Sequence, residues 1–471
     1  MISRFIFIVG GYAIHVYLAR RLGPEEYGIF GVCTAIITIC YVFLNNGVPQ
    51  IVSKSSAIYP QSTKHFLNKG LIVQFTIAGT LGLLLVIFAK HIAVVFNNKA
   101  FITPLYISGL IVITQSQKFV YRGALNGLKQ FGRENAVLST YSSVRIFAAI
   151  FLVYLGFGVT GALTGFLTAS ISSALLGFVL TWNLDNTRYN SMKFFTLLKS
   201  SIPIMMLFSF ITIIMNLDLL SVRYYMSEGQ FSGYYTSAAT LSKLTYWIFF
   251  AFCSVLLPYV SSSFSNDDIT QTRKHINAII RYSLMVVLPM TVLISLYADN
   301  AVCLIYGAGY HPAGDVLSIL VYGLSSLGLI SIFATIMIGI NEVRVMTVYA
   351  LIGTVIAIFL NILLVPRIGM MGGAIATTIS ATVVAIIVYG FIKRRLEMEI
   401  NIPGVLRVTG SAALVILIGH GISGLEVNFI IKAASLYLGY CFFLILFREI
   451  NNDDMNFAKQ FILKFSARGN T

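Results

Sequence analysis

The residues most able to bind a charged ligand are the few cations that lie inside long apolar segments. Arg145 lies near the middle of one such segment with Ser142 on its helical face, and Lys243 lies near the middle of another, one turn after Thr240. A cation at the bilayer centre costs roughly 2.5–3.5 kcal/mol and needs a compensating partner. A guanidinium can bind phosphate through two hydrogen bonds. Arg145 and Lys243 are therefore candidate anion-binding residues, and the alternative is a structural cation hydrogen-bonded to carbonyl and hydroxyl groups.

Three further cations, Arg4, Lys118 and Arg122, lie nearer the ends of apolar segments that are predicted to face the cytoplasm. Lys118 and Arg122 are four residues apart and therefore share one helical face. These three residues could attract an anionic head group before it moves into the protein. The alternative is that they are membrane-surface anchors, because long basic side chains commonly reach towards the head groups from helix ends.

Asp218 and His15 are the candidates for ion coupling. Asp218 lies in the outer part of an apolar segment, where its carboxylate could carry a proton, bind Na⁺ or pair with a cation. His15 lies near the middle of the first segment, and an imidazole titrates near neutral pH. The alternatives are a carboxylate that only orients its helix and an imidazole that is simply hydrogen-bonded.

The composition requires these residues to be positioned by membrane helices. Of 471 residues, 57% are hydrophobic and only 10% are charged, whereas a soluble domain carries about 25% charged residues. This excludes a soluble enzyme, a disordered protein and a disulfide scaffold, and the five scattered cysteines have no metal-ligand spacing. The net charge of +15 indicates Lys and Arg at the cytoplasmic membrane surface rather than a nucleic-acid partner.

About fourteen apolar segments are long enough to span a bilayer, and we expect each to be a helix because hydrocarbon leaves no partner for exposed backbone. The first two are placed at 4–20 and 28–51. Most of the 32 basic residues fall in alternate loops and in the two tails. The sequence therefore predicts a multi-pass protein of the cytoplasmic membrane with both termini in the cytoplasm.

The two halves of the chain repeat one another. The segment 23–30 is echoed by 228–235, and 158–162 is echoed by 369–373, at offsets of about 205 to 211 residues. Copies that are six helices apart have the same orientation, so the repeat is parallel. We also expect the turns at 23–28 and 228–233 to approach each other at the outer face.

The predicted fold class is an all-α integral membrane protein of about fourteen helices, with two six-helix lobes and two additional helices. The predicted domains are an N-lobe at 1–182, a C-lobe at 200–392, helices 13 and 14 at 404–447, and a cytoplasmic tail at 448–471.

Three motifs carry a resemblance to a known family: LARRLGPEEYG at 18–28, RGALNG at 122–127, and NILLVPRIG at 361–369. The chain resembles the polysaccharide biosynthesis protein family, which comprises the oligosaccharide flippases of the multidrug/oligosaccharidyl-lipid/polysaccharide exporter superfamily. The resemblance implies two lobes around a central cavity. It also implies alternating access that carries a polyprenyl-pyrophosphate-linked oligosaccharide from the inner to the outer leaflet. The implied partners are this lipid-linked oligosaccharide, membrane lipids and a polysaccharide polymerase machinery.

Other functions on the same fold stay open, namely a multidrug or cation antiporter and a lipid II flippase. A cation antiporter is expected to favour acidic residues in its cavity, whereas the mid-segment charges here are mainly basic. A membrane glycan polymerase is expected to have a large extracytoplasmic loop, and the longest one predicted here is the region around Asp299 to His311. We therefore expect no enzyme activity and, without a Walker motif, no ATP hydrolysis. No cofactor is expected apart from H⁺ or Na⁺ as a coupling ion.

Overall fold

The computed structural model describes residues 2–184, 192–226, 228–397, 402–421, 428–447 and 449. Within these ranges every regular element is helical, with fifteen α-helices and three short 3-10 helices. Eleven helices are long and apolar enough to cross a membrane. The predicted all-α membrane fold is confirmed.

The first half of the chain forms a bundle in which α3 packs against α4, α6 packs against α4 and α5, and α5 packs against α1. Its helices are α1 (Ile2–Asn45), α2 (Val48–Ile58), α3 (Thr63–Val95), α4 (Ile102–Gly127), α5 (Phe131–Tyr154) and α6 (Gly158–Thr181). We call this group the N-bundle.

The second half forms a bundle in which α11 packs against α8 and α13, and α12 packs against α7 and α13. Its helices, here called the C-bundle, are α7 (Met192–Tyr225), α8 (Gly229–Ser265), α9 (Ile269–Leu296), α10 (Ala298–Tyr306), α11 (Ala313–Gly339), α12 (Val343–Ile368) and α13 (Met370–Arg395). Two further helices, α14 (Ile402–Gly421) and α15 (Phe429–Leu446), pack against α9. The domain limits given from the sequence stay a prediction.

In the first half of the chain one predicted break is shorter than expected, and one predicted helix end was wrong. The gap expected between the first two spans is helical except at Gly23, whose φ of 74° and ψ of 173° break α1 into two segments, with Pro24 starting the second. The second span was expected to end at residue 51. It ends instead at Asn45, and α2 begins at Val48, because a proline at position 49 is compatible with the first turn of a helix and not with its interior.

The region expected to be an external loop, Asp299 to His311, is also more ordered than the sequence suggested. It holds most of α10 and a 3-10 helix, Ala308–Tyr310. We call the end of the molecule that carries Gly23 and α10 the outer end, and the end that carries α2 the inner end. These names follow the orientation predicted from the basic residues, which stays a prediction.

The two bundles meet along α1, which packs against both α7 and α8. Close approach is possible because glycines face the partner helix, with Gly31 lying against Thr236 and Gly28 against Ser232. A Cβ atom at either glycine would overlap the facing side chain. Side chains on α1 can therefore contact residues of both bundles.

Candidate functional site

Arg145 is buried on α5, on the side of the N-bundle that faces α1, and is 9% exposed. Its Cζ atom lies 5.4 Å from the ring centroids of both Tyr141 and Phe166. Gly11 on α1 makes room for the guanidinium, since a Cβ atom there would lie 3.3 Å from Nη2 of Arg145. Aromatic faces stabilise a desolvated cation, so this position can hold a positive charge away from water.

Lys118 on α4 contacts the ring of the same tyrosine, Tyr141. Its Nζ atom is 3.4 Å from the centroid of Tyr141, and the residue is 2% exposed. The Tyr141 hydroxyl donates to Oε1 of Gln115 at 3.1 Å, and the Tyr41 hydroxyl donates to the same oxygen. The N-bundle thus holds two buried cations around one fixed tyrosine. Tyr141 was missed in the sequence, although its position four residues before Arg145 was a usable signal.

Lys243 on α8 supplies a cation from the C-bundle. Its Nζ atom lies 3.5 Å from Oδ1 of Asn216 on α7. His15 on α1 is within electrostatic range of both Lys243 and Arg145, and its Nδ1 atom lies 2.9 Å from the Tyr27 hydroxyl. The structure therefore brings the two predicted anion-binding cations to either side of one helix, with His15 near both.

Asp218 on α7 is 1% exposed and has three hydrogen-bond donors. Oδ2 accepts from the hydroxyls of Tyr235 at 2.7 Å and Thr377 at 2.8 Å, and Oδ1 accepts from the Leu219 backbone N–H at 2.8 Å. These donors come from α7, α8 and α13. The carboxylate is therefore held at the centre of the C-bundle by polar groups that sequence reasoning did not assign to it.

The predicted cytoplasmic group is divided in the structure. Lys118 lies against the aromatic rings of Tyr141 and Phe119. Nη2 of Arg122 instead donates to Oε1 of Glu134 at 2.9 Å. Arg122 lines a cavity of about 580 Å³ between α2, α4 and α5, at the inner end of the N-bundle. We call it the α2–α4–α5 cavity. Arg4 falls within α1, and its side chain lies outside the described residues.

The outer end is closed by contacts between the bundles. Nε and Nη2 of Arg20 donate to the carbonyls of Ile305 at 2.8 Å and Leu304 at 2.6 Å, in the last turn of α10. The Tyr310 hydroxyl donates to the Ala19 carbonyl at 2.8 Å. A guanidinium on C-terminal helix carbonyls is electrostatically favourable. Opening the outer end must break these bonds.

The two repeated turns, 23–28 and 228–233, meet at this closed end, as the repeat predicted. Gly233 lies directly against the Pro24 carbonyl, and a Cβ atom at Gly229 would lie 2.7 Å from Cγ of Glu25. Glu26, the next residue, faces Gly158 of α6 instead. The pair Glu25 and Gly229 therefore reports whether the outer end is closed.

We expect the double variant Glu25→Cys, Gly229→Cys to form a disulfide on mild oxidation, because a Cβ atom at Gly229 would lie 2.7 Å from Cγ of Glu25, the position that the sulfur of a cysteine would take. Reduction should reverse the crosslink. Gel mobility is measured before oxidation, after oxidation and after reduction. Glu26→Cys, Gly229→Cys is the matched control, and equally fast crosslinking of both pairs would contradict the proposed closed end.

A profile of the polysaccharide biosynthesis protein family matches residues 17–315, which is more than half of the chain. The chain belongs to this family. The resemblance carried by its motifs is thereby confirmed at the level of this family.

One relative is similar to this chain in sequence, and two solved structures are similar to it in fold. The uncharacterized membrane protein MJ1068 of Methanocaldococcus jannaschii is 23% identical over 425 residues, covering 85% of this chain and 83% of that protein. The lipid II flippase MurJ in its inward closed conformation matches with a TM-score of 0.77 at 19% identity, covering 95% of this chain and 98% of that one. An inward-facing MATE multidrug resistance transporter of the MOP superfamily has a TM-score of 0.70 at 16% identity, covering 82% and 94%. This family member therefore has the fold of membrane transporters.

Proposed function

We propose that the protein is a flippase that moves a polyprenyl-pyrophosphate-linked oligosaccharide from the inner to the outer leaflet by alternating access. The observation that carries the proposal is the set of three cations around α1, of which Arg145 and Lys118 are buried and Lys243 is half-buried. A pyrophosphate must cross about 30 Å of hydrocarbon. Cations from both bundles can replace the water around it, while the lipid tail stays in the membrane.

The arrangement also suits alternating access. Arg145 and Lys118 belong to the N-bundle and Lys243 to the C-bundle, so an anion between them would contact both moving parts. A ligand shifts a conformational equilibrium only through different affinities for the two states. We propose that the anion draws the bundles together at the substrate and thereby favours rearrangement of the outer-end contacts.

We propose that transport is coupled to H⁺ or Na⁺ through Asp218. Its support is a buried carboxylate at the junction of three helices, two of which, α7 and α8, also contact α1. Binding of a cation there would require the Tyr235 and Thr377 hydroxyls to turn or move away. His15 is the second candidate, because its hydrogen bond to Tyr27 joins the two segments of α1 close to the cations.

The competing functions predict different substrates. A multidrug or cation antiporter on this fold would have to hold its cation beside Arg145 and Lys243, which is electrostatically unfavourable. A lipid II flippase is a second candidate, since the MurJ structure matches nearly the whole chain, and lipid II presents the same kind of head-group chemistry. A polymerase partner also stays a proposal.

The functions are separated by supplying each substrate to the same proteoliposomes under one ion gradient. We expect movement of a polyprenyl-pyrophosphate oligosaccharide and no accumulation of a cationic dye such as ethidium. Lipid II in a third sample compares the two flippase substrates directly. Dye transport without any lipid movement would replace the flippase proposal with the antiporter.

A further inference from the structure

The α2–α4–α5 cavity borders the cations around α1 through Phe119, whose ring centroid lies 5.0 Å from Nζ of Lys118, and its remaining wall is built from other residues. Its wall includes Lys54 on α2, Arg122 on α4, Lys129 in the turn that follows α4, and Glu134 on α5. The turn is short, with α4 ending at Gly127 and α5 starting at Phe131. This tight connection brings basic residues from three elements to one opening.

The cavity is positively charged, since three basic residues line it and Glu134 is its one acidic residue. Both Glu134 oxygens are already used. Oε1 accepts from Arg122, and Oε2 accepts from Nδ2 of Asn126 at 3.0 Å. Asn126 in turn accepts a hydrogen bond from the Ser53 hydroxyl at 3.1 Å. The carboxylate therefore positions the cavity wall, and it leaves the two lysines without an acidic partner in the described part of the chain.

One donor in this wall is buried and unused. The Nε atom of Arg122 has no acceptor among the residues that the structure describes. A buried donor without an acceptor is rare in native proteins and often indicates a missing ligand or ion. Since guanidinium groups recognise phosphate oxygens with particular strength, the chemistry of this position fits a phosphate.

The rim of the cavity is apolar as well as basic. Phe131, at the start of α5, lines it and is 54% exposed, and Ile58, next to the lining residue Ala57, is 55% exposed. A soluble anion would make no favourable contact with these apolar side chains. A lipid can place its phosphate against the basic residues and its hydrocarbon chain against the apolar ones. The combination indicates a membrane-anchored ligand.

We propose that the α2–α4–α5 cavity binds the phosphate or diphosphate head group of an inner-leaflet lipid. A role for this cavity in loading the substrate rests on the flippase function proposed above. Lipid binding at the cavity does not depend on that function. Arg122 is the fixed donor, and Lys54 and Lys129, both exposed, close on the anion. The lipid is either the polyprenyl diphosphate substrate or an anionic phospholipid, and the phosphate chemistry is common to both.

The test measures lipid binding to the full chain in zwitterionic detergent by isothermal titration. All proteins carry Arg145→Gln, which takes one cation from the site proposed around α1 and is common to every sample, so differences between variants report the α2–α4–α5 cavity. We expect Lys54→Gln with Lys129→Asn to weaken binding of a long-chain polyprenyl diphosphate at least 10-fold, with a steep salt dependence. Lys129 has a φ of 57°, a conformation that asparagine tolerates, so the turn is retained.

Arg133→Gln is the matched control, because Arg133 is exposed on α5 close by and does not line the cavity. Its affinity should stay within 2-fold. An equal loss in both variants, or no loss in either, would overturn the site. A thermal melt confirms that each variant is folded.

Two further ligands identify the source of the phosphate. Tighter binding of polyprenyl diphosphate than of phosphatidylglycerol supports the site with the substrate as its ligand, and equal binding supports it with a phospholipid. Inorganic pyrophosphate binding as tightly as the lipids would overturn the membrane-anchored ligand.

If the chain moves no lipid between leaflets but the lysine variants lose binding, the flippase proposal fails and the site stands. If transport is normal but lipid binding is unchanged in the lysine variants, the flippase proposal stands and the site at the α2–α4–α5 cavity fails.

Discussion

Replacing Arg145 by alanine is expected to slow transport of the lipid-linked oligosaccharide roughly 30- to 100-fold, which corresponds to about 2–3 kcal/mol of charge-assisted hydrogen bonding to the pyrophosphate. Arg145 is a buried cation on α5 that lies against α1, where the two bundles meet. Its removal leaves the anion with fewer charges to replace its water. Arg145→Lys should retain part of the rate, since a lysine keeps the charge and loses the planar donor pair.

Arg133→Ala provides the control for this experiment, because it removes the same side chain from an exposed position on the same helix. It should leave the rate unchanged. Initial rates are measured in proteoliposomes at equal protein content, alongside the thermal stability of each variant. A folded Arg145→Ala protein with the native rate would exclude Arg145 from the substrate path.

Asp218→Asn is expected to remove the dependence of transport on an H⁺ or Na⁺ gradient and to slow transport at least about 10-fold, because the amide neither titrates nor attracts a cation. The fold should tolerate this change. The Tyr235 and Thr377 hydroxyls that now donate to Asp218 can rotate to accept from the new amide, since a hydroxyl acts as donor or acceptor.

Asp218→Ala should behave differently and lower the free energy of unfolding by about 2–4 kcal/mol, since it leaves buried donors without an acceptor. Asp315→Asn, at an exposed position in the first turn of α11, is the control for the change from acid to amide. Transport by each protein is measured with and without a Na⁺ gradient and a pH gradient. Full gradient dependence in Asp218→Asn would assign the coupling to another residue.

Much of the fold follows from the sequence because the bilayer leaves few alternatives. Long apolar segments must satisfy their own backbone, so their number and helical type could be predicted. The helix ends could be predicted only in part. The break at Gly23 falls inside the gap predicted between the first two spans, in a charged stretch from Arg20 to Glu26. The break at Gly47, before Pro49, falls inside a segment that was predicted as one continuous span.

The candidate site was predictable to the level of residue types. A buried cation is costly wherever it lies, so Arg145 and Lys243 stood out without a structure. Their common neighbour His15 depends on the path of α1 between the bundles. Likewise, Lys118 reaches Tyr141 from a different helix, and the pairing of Arg122 with Glu134 depends on the tight turn around Lys129.

The most direct test of the flippase proposal is the leaflet distribution of a polyprenyl-pyrophosphate oligosaccharide in proteoliposomes. The substrate is placed in one leaflet, and its appearance in the other is followed with a membrane-impermeant glycosidase or lectin. Native protein should produce transfer well above that of protein-free liposomes and of the crosslinked Glu25→Cys, Gly229→Cys protein. Transfer no faster than in protein-free liposomes, with folded protein and an ion gradient present, would contradict the proposed function.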